Sequence, residues 1–412
     1  MAQCNYLDLL SAGEAGGHEC AAAETVVCPD GGLTPAHRFR SFAGRSVCAR
    51  GDRGYSGVFD SAGAIGFAQE GDGSPMPSRT GRKLAVVTGG TAGVGRATVR
   101  EFAAHGYDVA VLARGQAGLD GAVADVEAAG GTALGIPTDV ADHNAVREAA
   151  ERIEDELGEI DVWVNVAFAG SLAFFWDTSP EEYERMTQVT YLGQVNGTRA
   201  ALEHMRPRDR GVVVNVGSAM AYRSIPLQSA YCGAKHAVKG FSESVMTELL
   251  HEHSNVKVCM IQLPGLNTPQ FNWNLSRMPK HPMPVPPVFQ PELPAKGIVF
   301  LAEHPRRNMW VGVSTAYTIL GERLAPKFLD FYLGRKGVGS QQTGRDLPRW
   351  EPNLHEPSDA RTDRGAHGVF DDQAHARDPL LWLSRHRRAL ACALTATTAA
   401  LGLATTRTRS HR

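Results

Sequence analysis

The sequence predicts an α/β fold, a doubly wound parallel sheet with helices on both faces, on three observations. Between residues 83 and 313, short apolar runs alternate with longer helical segments. The runs are apolar at successive positions, so each strand is buried on both faces. The first run also leads straight into a glycine-rich turn that opens a helix. Strands of this kind alternating with helices form a parallel sheet covered on both sides. Right-handed crossovers then bring ligands to the carboxyl ends of the strands.

In chain order, KLAVVTG from Lys83 reads as the first buried strand, and VGRATVREFAAHG as a helix closed by Gly106. DVAVLA (108–113) is the second strand, with a helix across 116–128; TALGIP (132–137) is the third, with a helix across 142–157. DVWVNV (161–166), GVVVNVG (211–217) and VKVCMIQL (256–263) are three more buried runs, and long helices are expected at 180–206 and 229–251. MWVGV (309–313) fits a last strand, and residues 315–335 read as one amphipathic helix.

Around this unit lie segments of different character. Residues 1–80 are rich in Gly, Ala and Ser without strand or helix periodicity, and read as a disordered extension. A second reading places the natural start at Met76, just before the first strand, with the preceding residues a mistranslated leader. The catalytic domain is expected over 81–335, a polar linker over 336–380, and an arginine-flanked apolar tail over 381–412. That tail is short for a bilayer core and diluted by threonines, so membrane attachment and a frayed exposed helix both fit it.

The chain has 412 residues, 43% hydrophobic and 21% charged, with a formal net charge of −2. So even a balance gives no electrostatic case for nucleic acid as a partner. Of seven cysteines, only Cys232 and Cys259 fall between the first strand and residue 330, and no pair shows CxxC spacing. Neither a zinc site nor a thioredoxin-like site is suggested, and a reduced cytoplasmic enzyme is expected.

The first chemical signal is the turn Thr88, Gly89, Gly90, Thr91, Ala92, Gly93, Val94, Gly95 between strand and helix. Glycines let the backbone approach a pyrophosphate, which helix N–H groups and the helix dipole attract. At the end of the second strand an acidic residue would accept hydrogen bonds from the ribose of NAD; Arg114 stands there instead. Its guanidinium suits a 2′-phosphate, so NADP is the predicted cofactor.

The second signal joins Ser218, just past a strand's carboxyl end, to Tyr231 and Lys235 on one face of a helix. A phenol titrates near about 10 and is a poor acid–base catalyst at neutral pH. An ammonium close by and an oxidised nicotinamide would lower that value. Tyr231 is therefore the candidate proton donor and acceptor, Ser218 the group that holds the substrate oxygen, and Lys235 the group that tunes Tyr231 and binds ribose. A Tyr-x-x-x-Lys pair taken alone is an ordinary helix pair; with the glycine turn and Ser218 it points to chemistry.

Together TGGTAGVG (88–95), Ser218 and YCGAK (231–235) resemble the short-chain dehydrogenase/reductase family, in its single-domain branch. The resemblance spans roughly residues 83–312. It implies a Rossmann-type fold, adenine contacts at Asp139 and Val140, and Asn165 lining the cofactor side of the fourth strand. It implies a homodimer or homotetramer through the helices at 180–206 and 229–251. It also aligns Thr190 with the asparagine that helps a proton relay, and Thr268 with a residue meeting the nicotinamide amide or the phosphates.

Three departures stand out: Phe168 replaces a small turn residue, Thr190 replaces the relay asparagine, and the loop 263–268 is one residue short. Phe168, Phe174, Phe175, Trp176, Phe271 and Trp273 follow strands at the ligand edge and suggest an apolar substrate wall. The proline-rich stretch 278–291 suggests a stiff lid. The expected function is hydride transfer between NADP(H) and a carbonyl or secondary alcohol of an apolar small molecule. The alternative is a catalytically impaired NADP-binding sensor or scaffold, membrane-associated through the tail.

Overall fold

The computed structural model describes residues 80–387. The N-terminal extension up to residue 79, the start at Met76 and the tail from residue 388 lie outside the described residues.

The repeating unit begins with β1 (Leu84–Thr88), α1 (Gly93–Ala104), β2 (Asp108–Ala113), α2 (Gln116–Ala128), β3 (Ala133–Pro137), α3 (His143–Leu157) and β4 (Ile160–Asn165). It continues with α4 (Pro180–Thr187), α5 (Gly193–Met205), β5 (Val212–Val216), α6 (Ser229–His251), β6 (Lys257–Gln262), α7 (Glu292–Glu303) and β7 (Asn308–Trp310). These seven strands form one sheet in the order β7-β6-β5-β4-β1-β2-β3, every neighbouring pair parallel. The fold is the doubly wound parallel sheet that the sequence predicts.

Consecutive residues of β1 show why both faces are apolar. Ala85 and Val87 pack with Val99 and Phe102 of α1, Leu119 of α2 and Ile298 of α7. Leu84 and Val86 pack with Ile153 of α3, Met205 of α5 and Leu249 of α6 on the other face. The order reverses between β1 and β4, which leaves a crevice at their carboxyl ends.

Local signals fix several boundaries. Asp142 caps α3 by accepting from the Asn144 and Ala145 N–H groups, and Ser179 with Glu182 makes a capping box at α4. The helix expected across 180–206 is interrupted by a π-turn at Gln188–Leu192. The single helix expected over 315–335 is two, α8 (Val313–Leu324) and α9 (Pro326–Lys336). Pro326 lacks the N–H that a continuous helix needs and instead starts α9. Helix α7 was not legible as a helix because Pro294 sits in ELPAKGIVFLAE, where it falls in the tolerated first turn.

The expected linker 336–380 is packed against the domain. Gln342–Asp346 pairs antiparallel with Lys280–Pro282, and Ala374–His375 pairs in parallel with Val288–Phe289. Leu354 is buried in one core cluster, and Leu381, just past the linker, in the other. The segment is polar because backbone and charged groups hold it, a kind of anchoring that a search for apolar periodicity does not register.

Candidate active site

The cleft sits at the carboxyl ends of β1, β2 and β4, where the sheet order reverses, and the glycine turn forms its floor. Gly89, Thr91, Ala92, Gly93, Val94 and Gly95 all line it. Two of the glycines are required by geometry. A Cβ on Gly95 would stand 2.0 Å from the Gly89 carbonyl oxygen, and Gly89 has φ +68° with Ala167 Cα 2.8 Å from where its Cβ would be. The turn therefore brings bare backbone to the cleft, and α1 starts at Gly93 with no side-chain cap from Ala92. These residues fit a dinucleotide pyrophosphate: small, at the start of a helix that no side chain caps.

Thr88 differs from its neighbours. Its hydroxyl accepts from the Val166 N–H at 3.1 Å and donates to the Val164 carbonyl at 3.4 Å, tying β1 to β4 beneath the cleft without lining it. Asn165, expected on the cofactor side of β4, is instead fully buried in a polar knot. It donates to Asn215 Oδ1 at 2.8 Å and Thr198 Oγ1 at 3.1 Å, and accepts from Trp163 Nε1 at 2.8 Å. The adjacent positions 166–170 line the cleft in its place.

At the adenosine end, Arg114, Asp139, Val140 and Thr138 line the cleft. The Asp139 carboxylate accepts from Arg185 and from the Ala141 N–H. Burial opposes its ionisation, but these two contacts hold the carboxyl below its ordinary value. Arg114 is not solvated: its guanidinium donates to the carbonyls of Asn353, Leu354 and His355 at 2.7, 3.4 and 2.6 Å. Burial, and then the charge of Arg185, lower its pKa from the ordinary value.

At the other end Ser218, Tyr231 and Lys235 line the same cleft. Tyr231 hydrogen-bonds the Ser218 side chain, and Ser218 Oγ also accepts from the Met220 N–H at 3.2 Å. Lys235 is buried one turn along α6, with Nζ 5.6 Å from the centre of the Tyr231 ring and donating to the Val216 carbonyl at 2.7 Å. Burial pushes the Tyr231 phenol above its ordinary value, against the hydrogen bond from Ser218. Burial also brings Lys235 down to about 7. In this setting burial outweighs any lowering of the phenol by the lysine, contrary to expectation, and both groups are driven to their neutral forms.

Thr190 is a correction. Its hydroxyl accepts from the Ala169 N–H at 2.9 Å and donates to the Ala169 carbonyl at 2.8 Å. The side chain is therefore committed to the turn after β4 and does not line the cleft. Thr268 does line it, and its Cβ lies 3.1 Å from where a Cβ on Gly93 would be. Of the aromatic residues, Phe168, Phe271 and Trp273 line the cleft, with Phe168 edge-on to Tyr231 at 5.7 Å. Phe175 and Trp176, expected in the same wall, are 66% and 76% exposed, and Phe174 packs on a separate cluster with Leu172 and Met278. Phe175 and Trp176 sit on a short 3-10 turn, Phe175–Asp177, and do not line the cleft.

Met283, Pro284 and Val285 of the proline-rich stretch line the cleft. The sequence reading missed a further set, Asn353, Leu354, Pro357 and Asp359 of the expected linker, which line it too. The only signal for the latter was a density of Asn, Pro, Asp and Gly, which marks turns but not their destination.

Residues 83–278 match the sequence profile of the short chain dehydrogenase family. An uncharacterized oxidoreductase, YxnA, from Bacillus subtilis is 32% identical over 289 residues, which span 69% of this chain and 80% of the relative. The chain belongs to the short chain dehydrogenase family. A 2,3-dihydro-2,3-dihydroxybenzoate dehydrogenase from Bacillus subtilis is 33% identical over 193 residues, 47% of this chain and 73% of that one. A short chain dehydrogenase from Pseudocercospora fijiensis is 36% identical over 170 residues, 40% of this chain and 55% of its own length. Among solved structures, an alcohol dehydrogenase from the archaeon Thermococcus sibiricus complexed with 5-hydroxy-NADP is similar at a TM-score of 0.49 and 23% identity, over 56% of this chain and 96% of that one. As a short chain dehydrogenase, the chain is an oxidoreductase whose fold binds a nicotinamide cofactor. No helix among the described residues is long and apolar enough to cross a membrane.

Proposed function

We propose that this short chain dehydrogenase transfers a hydride reversibly between NADP(H) and a carbonyl or secondary alcohol of an apolar small molecule. The observation that carries the reading is the convergence of Ser218, Tyr231 and Lys235 on one cleft with the glycine turn. When bound there, the nicotinamide supplies the hydride or receives it. Ser218 holds the substrate oxygen by its hydroxyl. Tyr231 passes a proton to that oxygen during reduction and takes one during oxidation. Lys235, aligned under Tyr231, is suited to ribose hydroxyls and to the charge on the phenol oxygen.

NADP is favoured over NAD by Arg114, since β2 ends in a guanidinium where a carboxylate would take ribose hydroxyls. Asp139 and Val140 are assigned to the adenine, and Thr268 to the nicotinamide side. Phe168, Phe271 and Trp273 support an apolar substrate. A homodimer or homotetramer through α4, α5 and α6 is the assembly we assign. A sensor without catalysis is the second reading, favoured by Thr190, whose side chain is withdrawn from the cleft.

The test follows NADPH and NADH consumption over a panel of hydrophobic aldehydes and ketones. Turnover with NADPH preferred is expected. NADPH binding without turnover on any substrate would favour the sensor, and a preference for NADH would overturn the cofactor assignment.

A further inference from the structure

Residues 353–370 start at the mouth of the cleft, which Asn353, Leu354, Pro357 and Asp359 line, and go on to contact α2, the glycine turn and α1. At the end of β2, the three consecutive carbonyls of Asn353, Leu354 and His355 take the Arg114 guanidinium. At the start of α2, the Gly118 N–H donates to the Asp359 carbonyl at 3.1 Å and the Ala117 N–H to that of Ala360 at 3.3 Å. At the glycine turn, the Gly93 N–H donates to the Gly365 carbonyl at 3.0 Å. Asp363 then grips Arg96 of α1 through two hydrogen bonds of 2.9 and 3.1 Å, while the same guanidinium donates to the Thr91 carbonyl at 3.2 Å.

The domain surface is shaped to receive this segment. A Cβ on Gly115 would stand 1.9 Å from Asp359 Oδ1, and one on Gly118 would stand 2.4 Å from Oδ2. On Gly121 it would stand 2.2 Å from Asp363 Oδ2. Three glycines in and beside one helical face thus let the segment lie flush against α2.

We infer that residues 353–370 are a cofactor-holding strap, the outer wall of the adenosine end, which orients Arg114 toward the 2′-phosphate and slows dinucleotide release. The inference rests on the reading of the cleft as a nicotinamide dinucleotide site. The hydrogen bonds leave room for that role. A guanidinium has five N–H donors, and the three strap carbonyls engage only Nη1 and one hydrogen of Nη2. Nε and the remaining Nη2 hydrogen form a fork for a phosphate. Gly365 takes only the first amide of α1, at Gly93.

Asp363 is a positioning residue, because it acts on the cleft through Arg96 and does not line it. Its loss leaves Arg96 still paired with Asp125. The experiment uses the full chain and measures NADPH and NADH affinity and NADPH release for wild type, Asp363→Ala and Asp363→Glu. The Ala variant is expected to release NADPH roughly tenfold faster and to bind it correspondingly less tightly, as loss of a charged hydrogen-bonded pair implies. Its preference for NADPH over NADH should narrow, and the Glu variant should recover part of both losses. Wild-type binding with unchanged or slower release in Asp363→Ala overturns the strap alone. Failure of the wild type to bind either dinucleotide overturns the cleft reading and the strap with it. If Asp363→Ala does not fold, hydrogen exchange on the wild type decides: NADPH should slow the amides of residues 353–370, and unchanged exchange overturns the inference.

Discussion

Lys235 Nζ stands 5.6 Å from the centre of the Tyr231 ring and is held there by the Val216 carbonyl at 2.7 Å. The pair is set by two elements at once, the register of α6 and the carboxyl end of β5. Burial keeps the phenol protonated and brings the ammonium down to about 7, so ionic charge in this pocket is costly until other polar groups arrive.

That cost has a sign that can be tested. Burial moves Lys235 from 10.5 in the unfolded chain to about 7 in the folded one. Between those values the unfolded chain holds more protons, so stability rises with pH. The penalty for burying the ammonium is absent above 10.5 and grows as pH falls toward 7. Lys235→Met should therefore flatten the pH dependence of unfolding across this window, while lowering turnover by about a hundredfold or more. Denaturation midpoints at several pH values, with steady-state rates, check both halves. An unchanged slope or an unchanged rate contradicts the assignment.

Arg114→Asp removes the proposed phosphate partner and places a carboxylate where ribose hydroxyls would meet it. A charged hydrogen bond is worth about 1.5–3 kcal/mol. The variant should lose roughly ten- to hundredfold in apparent NADPH affinity and much less with NADH. Cofactor titrations read the ratio, and equal losses would contradict a role in selecting NADP.

Asn165→Ala should act on the fold and leave cofactor choice alone. The side chain links Trp163, Thr198 and Asn215, all buried, and its removal leaves their polar atoms short of partners. A loss of about 1–3 kcal/mol in unfolding free energy is expected for an unsatisfied buried group. Urea denaturation measures it, and the ratio of NADPH to NADH affinity should stay unchanged. A shift in that ratio would restore Asn165 to the cofactor site.

The residues that the sequence exposed and those it hid differ in a physical way. Strands, helices, the glycine turn and the Ser218, Tyr231, Lys235 set were legible because periodicity and short-range spacing encode them directly. The roles of Asn165 and Thr190 were not, because a neighbour decides whether a polar side chain on a strand end or helix faces the cleft or the core. The π-turn at Gln188–Leu192 and the Ala169 backbone settle it for Thr190. The strap was hidden for a third reason. Its contacts join residues 96 and 114 to 363 and 353–355 through charges and backbone carbonyls, and no local pattern carries such pairings.

The most direct test of the account is turnover and NADPH binding measured together in Tyr231→Phe. The substitution keeps the ring against Phe168 and removes only the hydroxyl that meets Ser218. Turnover should fall by about a thousandfold, within the range expected for loss of a proton-transfer group, while NADPH binding stays close to that of the wild type. A variant that turns over at the wild-type rate would contradict the assignment of Tyr231 as the proton donor and acceptor.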